Sequence, residues 1–367
     1  MRIDRLSLKN FRNYADQTIV FDSACNVICG ENAQGKTNLL EAVICLSQGK
    51  SPRTRSDREL IRFGESGFTI EGGIYSRERE FVSRIEVNAG RKKKITINKV
   101  PAKTASELSG VLGTVFFSPE DLYLIKEGAA ARRRFMDASL AQLRPRYADA
   151  LNEYNRLWEH KTRILRDSDE YPDLLKTLPD FDLRMAQTGA VVIYYRARFA
   201  RLLTQYAAAS HAECSGGRER LTVQYRTVST VTDPFADQET LLSQLIEHQR
   251  SHADAEKAVR QCLSGPHKDD LEVELDGLSA KSFASQGQTR TAALSLKLAA
   301  REIHKDIIGE YPVLLLDDVL SELDPRRQEF VLNRLGSGQV FITCCEDDRL
   351  HTLLSGKVFR ISGGRVI

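Results

Sequence analysis

The chain has 367 residues, room for one large or two modest domains. Its 41% hydrophobic and 28% charged residues suit an ordinary folded protein, and a net charge of +3 is too small to imply a nucleic-acid partner by itself. Seven cysteines with no CxxC pair, and apolar runs no longer than AVVIYY or VLLLDDVL, exclude a disulfide framework and a helical membrane span.

MRIDRLSLKN at the start has no apolar core and no small-residue cleavage site, so no signal peptide is expected. The chain reads as cytosolic, with buried thiols; Cys344 and Cys345 are adjacent and do not pair with each other. Residues 1–30 alternate and predict two short strands running into Gly30. TNLLEAVICLS predicts a helix. FTIEGGIYS, REFVSRIEVNAGRKKKITINKV and TVFFSPEDL read as strands, the second a hairpin about its NAG turn. From about Asp121 long helical patterns dominate, with apolar residues at i, i+3 and i+4, broken at YPDLLKTLPD and ECSGGRERL. After SGPHKDDLEVELDG the strand and helix alternation returns, with VLLLDD, QVFITCCE and KVFRISGGRVI. The expectation is an α/β lobe in two pieces, 1–120 and 263–367, with a mainly helical lobe, 121–262, inserted between them.

GENAQGKTN at 30–38 fits GxxxxGK[ST] in full, follows a strand pattern and opens a helix, the setting that motif requires. Gly30, Glu31, Asn32, Ala33, Gln34, Gly35, Lys36, Thr37 and Asn38 are therefore the expected ATP-binding residues. The glycines let backbone N–H groups turn inward around phosphates, Lys36 reaches the β- and γ-phosphates, and Thr37 offers its hydroxyl to Mg²⁺. VLLLDD reads as a buried parallel strand delivering Asp317 and Asp318 at its carboxyl end, where open α/β sheets bind ligands. Asp317 is expected in the Mg²⁺ shell. Asp318, with Lys36, is expected to be catalytic, orienting or deprotonating the attacking water. Helix capping explains one such carboxylate but explains two poorly.

A second anion-type turn lies far away. SFASQGQTR (282–290) is small and polar and precedes the helical pattern TAALSLKLAAREI. Ser285 offers a hydroxyl, Gly287 permits close approach, and a helix starting near Gln288 adds its dipole. By itself the run is equally a serine-rich helix cap.

The phosphate loop, the distant SQGQ and LLLDDVLSELD together resemble the ATP-binding-cassette ATPases of the SMC and RecF group. Within that group the RecF family is the nearest match, through LSLKNFRNY, GENAQGKTNLLEA, FSPEDL, EGAAARRRFMD, SGPHKDDLEVELDG, FASQGQTRTAALSLKLA and LLLDDVLSELDPRRQ. The resemblance implies head-to-tail homodimers on ATP binding, with Ser285, Gln286, Gly287 and Gln288 acting in trans on the γ-phosphate held by the other copy. It puts Arg12 near the phosphates and makes Ser321, Glu322, Leu323 and Asp324 a loop crossing the dimer seam. Thr343 stands where transporter ATPases place a switch histidine. FSPEDL falls where relatives carry a glutamine loop, and with no glutamine present no Mg²⁺ contact is expected there. Asp318 replaces the usual glutamate; its shorter arm sets the base farther from its water, so slow turnover is expected.

Basic runs occur at 50–58, 91–94 and 132–134. Each alone reads more often as a solvated face than as a DNA contact, and for the last a brace for the inserted helices is an equal alternative. The resemblance favours Arg53, Arg55, Arg91, Lys92, Lys93 and Lys94 as DNA contacts, made to phosphate since no base-reading motif is visible. His248 and His252 stand at i, i+4 without a third ligand, His267 serves a turn, and Tyr194, Tyr195 and Trp158 read as core.

The resulting expectation is a slow DNA-dependent ATPase, cytoplasmic and nucleoid-associated, with ATP and Mg²⁺ as cofactors. Its implied partners are double-stranded and gapped or junction DNA, a RecR-type mediator and a second copy of itself. Its implied role is to help load the RecA recombinase in repair and replication restart. Three other classes remain: a transporter ATPase subunit would keep its signature nearer the phosphate loop and carry the switch histidine, an SMC scaffold needs long heptad arms, and a binding module with a dead ATPase survives only if turnover is undetectable even with DNA, since both Lys36 and Asp317 are present.

Overall fold

Alternating and continuous apolar runs lead to two different sheets. In the computed structural model, which describes residues 1–54, 56–345 and 356–367, both lie in one unit made of Met1–Tyr123 and Lys297–Ile367. The strand Gly67–Ser76 buries every second side chain and pairs antiparallel with Arg2–Phe11 and Arg79–Asn88. Tyr14–Val20, Lys94–Ile97 and Val100–Pro101 complete a six-stranded sheet of this half-buried kind. Val313–Asp317 and Val340–Cys344 are instead buried along their whole length, as strands covered on both faces must be. They run parallel with Cys25–Cys29, Lys357–Ser362 and Thr114–Phe117 in a second sheet, whose edge strand Arg365–Val366 turns back antiparallel.

The helix Lys36–Gln48 packs with both sheets. Its Leu39, Leu40 and Val43 share one core with Ile3, Leu6 and Ile70 of the antiparallel sheet and with Ile28, Leu315 and Phe341 of the parallel one. Truncating a fully buried leucine such as Leu40 to alanine costs about 2–5 kcal/mol. Register does the rest: Asp317 stands opposite Thr343, and Thr343 opposite Ile28, so the carboxyl ends of three parallel strands meet where the phosphate loop begins.

The second unit, Leu124–Leu296, holds the helices Ala129–Leu143, Pro145–Asp167, Leu178–Ser215 and Gln238–Val259. The first two read as one pattern in sequence but break at Arg144, which is extended because Pro145 follows it. The inserted region is mainly helical, as expected, and also carries a small sheet. One boundary is corrected: 263–296 does not return to the first unit. The cause is that Asp270–Leu275 pairs antiparallel with Leu221–Arg226 and with Leu278–Ser279, which ties these segments into a small sheet of the second unit. Beside it lies an ionic core. Arg196, almost wholly buried, donates to Asp137 and Asp269 at 2.8 Å each, and Tyr225 donates to Asp269. Burial pushes the Asp269 carboxyl upward, and Arg196 pulls it down. The helix Gln286–Ile308 starts in this unit and ends among residues of the first. Among the described residues no helix is long and apolar enough to cross a membrane.

Candidate nucleotide-binding site

The turn at 30–35 is held in a shape that ordinary residues resist. Gly30 has φ 151° and Gly35 φ 119°, with Ala33 at 64° between them. A Cβ on Gly30 would lie 2.4 Å from the Ile361 carbonyl oxygen, and one on Gly35 would lie 2.7 Å from Asn13 Nδ2. Such left-handed steps turn backbone N–H groups toward one side, making a nest for an anion. The carbonyls are tied down elsewhere: Asn13 Nδ2 donates to Gln34 O at 2.7 Å, Tyr14 OH to Gly35 O at 3.0 Å, and Gly364 N to Gln34 O at 3.0 Å. Asn38 Nδ2 donates to Asn13 Oδ1 at 2.9 Å, and Cys345 Sγ to Asn32 Oδ1 at 3.5 Å. Lys36, buried, curls back over its own loop, Nζ donating to Gly30 O at 2.6 Å and Glu31 O at 3.0 Å. An ammonium has three donors, so one remains for a phosphate.

One chain of hydrogen bonds joins this loop to the carboxylates. Thr37 Oγ1 donates to Asp317 Oδ1 at 3.0 Å, Thr343 Oγ1 donates to the same oxygen at 2.9 Å, and Asp318 N donates to Thr343 Oγ1 at 2.8 Å. Burial pushes the Asp317 carboxyl above the usual carboxylate range, while the hydroxyls of Thr343 and Thr37 pull it back. Asp318 itself is left-handed, φ 54°, a strained state for a residue with a Cβ. Ser321 Oγ donates to Asp318 O at 2.7 Å and Oδ1 at 3.2 Å. This donor set fits Mg²⁺. Thr37 spends its proton on Asp317 and keeps its lone pairs, and hard oxygen ligands beside a phosphate nest are what that cation takes.

Other expected residues have partners of their own. Arg12 Nε and Nη2 fork onto Glu41 at 2.8 Å each, and Nη1 donates to Glu59 O at 2.9 Å. The Glu41 carboxylate holds the guanidinium above its ordinary value. Buried Glu41 also accepts from Ser51 Oγ at 2.5 Å and lies 3.6 Å from Arg53, whose Nη1 donates to Asn38 Oδ1 at 3.1 Å. Sequence reading passed over Glu41 and Asn13; a lone glutamate in the apolar run LLEAVICL was the available signal for the first.

Lys93 is engaged with Asp57 at 2.8 Å and Gly49 O at 2.7 Å, whereas Arg91, Lys92 and Lys94 are exposed. Arg55 lies outside the described residues. In the 132–134 run, Arg132 is buried on Asp270 and Arg133 donates to Asp269 O. In FSPEDL, Asp121 accepts from Ser118 N and pairs with Lys297 at 2.7 Å. Leu320–Glu322 is a short 3₁₀ turn, Leu323 is buried, and Asp324 caps the helix Pro325–Leu332. The rings of His248 and His252 stack 3.9 Å apart, and no cluster able to hold a metal is found among the described residues. His267 takes Tyr154 OH at 2.6 Å and the Cys262 carbonyl at 3.0 Å, and burial lowers it to about 4.

The signature turn lies in the second unit. Ser285 precedes the helix Gln286–Ile308, which starts two residues earlier than expected and takes Gly287 into its first turn. Gln288 N donates to Ser285 Oγ at 3.2 Å, and Ser285 N donates to Gln288 Oε1 at 2.8 Å, a reciprocal capping box. Lys126 Nζ fastens the preceding loop through Lys281 O at 3.0 Å and Ala284 O at 2.8 Å.

The chain is similar over its length to known proteins. The family model RecF/RecN/SMC N terminal domain matches residues 2–362. The DNA replication and repair protein RecF of Acetivibrio thermocellus is 40% identical over 367 residues, spanning all of this chain and 99% of that one. The protein of the same name from Agathobacter rectalis is 41% identical over 368 residues, with the same coverage. The solved structure of the recombination mediator protein RecF-ATP in the RecFOR pathway superposes with TM-score 0.89 at 32% identity, covering 100% of this chain and 96% of that one. A Pyrococcus furiosus Smc head domain shares the fold, with TM-score 0.54 at 17% identity, covering 100% of this chain and 95% of that one. The chain belongs to the RecF family, an ATP-binding-cassette-type branch of the RecF, RecN and SMC ATPases.

Proposed function

We propose that the chain is a slow, DNA-dependent ATPase that closes into a homodimer on ATP and serves as a recombination mediator at gapped or junction DNA. The observation that carries this is the hydrogen-bonded chain from Thr37 through Asp317 and Thr343 to Asp318, at 3.0, 2.9 and 2.8 Å. Bound ATP supplies the phosphoryl group, and its Mg²⁺ offsets the charge of the phosphate oxygens. Lys36 and the backbone of 30–37 hold the phosphates, and Thr37 and Asp317 hold the cation. Asp318, anchored by Thr343, orients or deprotonates the attacking water; Lys36 and Asp318 are the catalytic pair. The short arm of Asp318 makes turnover slow, which suits a timed clamp. Ser285, Gln286, Gly287 and Gln288 of a second copy complete the site, and Ser321, Glu322, Leu323 and Asp324 cross the seam. DNA is met at phosphates by exposed basic residues, Arg91, Lys92 and Lys94 foremost. A RecR-type mediator is the partner and loading of a RecA recombinase the outcome, in the cytoplasm at the nucleoid.

Light scattering on Asp318→Asn tests the core of this. The variant keeps the phosphate loop and stalls hydrolysis, so its mass should double with Mg·ATP and stay single without it. A mass that does not change with ATP, alone or with duplex DNA, removes the clamp.

A further inference from the structure

The capping box at the signature turn has a third participant. Gln288 Nε2 donates to Glu219 Oε1 at 3.0 Å, and Glu219 Oε2 takes His211 Nε2, also at 3.0 Å. Glu219 stands in the short link between the helix Leu178–Ser215 and the strand Leu221–Arg226, and the His211 side chain is fully buried in that helix. A glutamine amide has an acceptor end and a donor end, and its orientation is set by its neighbours. Here the oxygen must face Ser285 N–H and the NH₂ must face the Glu219 carboxylate. The flipped amide would set oxygen against carboxylate and NH₂ against N–H. Glu219 thus chooses the rotamer that closes the box.

We propose that Glu219, held by His211, is a positioning residue that fixes Gln288 and through it the hydroxyl of Ser285. The consequence is chemical. Ser285 Oγ accepts from Gln288 N, so its own proton stays available for donation to an anion such as the phosphate of a nucleotide on a second copy. The carboxylate never touches that anion; it acts from behind, with one oxygen on His211 and the other on Gln288. The inference rests on the two-copy reading above and names what prepares the signature for it.

The experiment compares Glu219→Ala, Glu219→Gln and Ser285→Arg in the full chain. Hydrogen exchange at the Ser285 and Gln288 amides reads the turn directly, without dimerisation. Glu219→Ala should speed that exchange about tenfold, the size of one hydrogen bond to a charged group. It should weaken ATP-dependent association and lower kcat by a similar factor, while ATP affinity at the phosphate loop stays put. Glu219→Gln should restore most of the loss, because its amide oxygen still accepts from Gln288. Unchanged exchange overturns the proposal. So does a parallel loss of ATP affinity and thermal stability, which would make Glu219 a plain structural contact. If Ser285→Arg itself leaves association intact, the two-copy reading is what fails, and the exchange result still decides whether Glu219 sets the turn.

Discussion

The phosphate loop and the signature turn are both helix starts, yet they are finished in opposite ways. The helix Lys36–Gln48 begins after Gly35 with no side chain capping it, and most of its length is buried. Its first N–H groups are therefore left for a ligand. The helix Gln286–Ile308 begins with a capping box in which the N–H groups of Ser285 and Gln288 are met by each other's side chains, and Ser285 is exposed. One start has no side chain of its own to cap it. The other is capped by its own side chains and still has a hydroxyl proton to offer. The first suits the resident site and the second an occasional visitor to someone else's site.

Breaking either start separates the two. Lys36→Ala should lower turnover by at least the 10²–10³-fold, in order of magnitude, that follows loss of one preorganised donor, and it should weaken nucleotide binding as well. Ser285→Arg should leave nucleotide affinity within about twofold, since the residue lies outside the phosphate loop, and should abolish ATP-dependent association. Titration with a fluorescent nucleotide and light scattering on both variants distinguish the cases. Equal loss of affinity in both would erase the contrast.

The next effect is on stability rather than chemistry. Glu41→Ala strips the carboxylate partner from Arg12, whose side chain is 21% exposed, and leaves the Ser51 hydroxyl proton without its acceptor. The cost should be about 3 kcal/mol, the low end for a broken buried pair because Arg12 keeps some solvent, read as a shift in the urea midpoint. Thr343→Val keeps shape and removes one hydroxyl. It leaves Asp318 N–H unmet and takes a donor from Asp317, costing about 1–3 kcal/mol. Steady-state kinetics should show kcat falling with KM for ATP little changed. A normal kcat would make the bridge only structural.

What the sequence revealed and what it hid follow from range. The loop at 30–38 is legible because its shape is local and its glycines are demanded by backbone geometry. VLLLDD is legible because a buried parallel strand is apolar throughout. The bridge made by Thr343 depends on register between Val313–Asp317 and Val340–Cys344, which no local pattern encodes; only family resemblance pointed to that position. LTVQYR, inside the region expected to be mainly helical, shows no strand signal of its own weight because its partner Asp270–Leu275 lies far along the chain. The three-arginine run at 132–134 could not be told from a surface run until Arg132 was seen on Asp270.

The same distinction divides the basic residues at 91–94 and gives the smallest effect. Lys93 is held by Asp57 and Gly49, so Lys93→Gln should loosen the hairpin and lower stability slightly. Arg91, Lys92 and Lys94 are exposed and have their charge to spend on phosphate. Each true phosphate contact should contribute about 0.9 to the slope of log affinity for duplex DNA against log salt. Lys92→Gln with Lys94→Gln should thus flatten that slope by about 1.8 if both touch DNA, without changing the unfolding midpoint. A slope unchanged in the double variant returns the cluster to a solvated face. A flattened slope with Lys93→Gln alone would mean that the lysine leaves Asp57 to meet the DNA, and that exposure in the free protein is a poor guide to which of these charges the DNA finds.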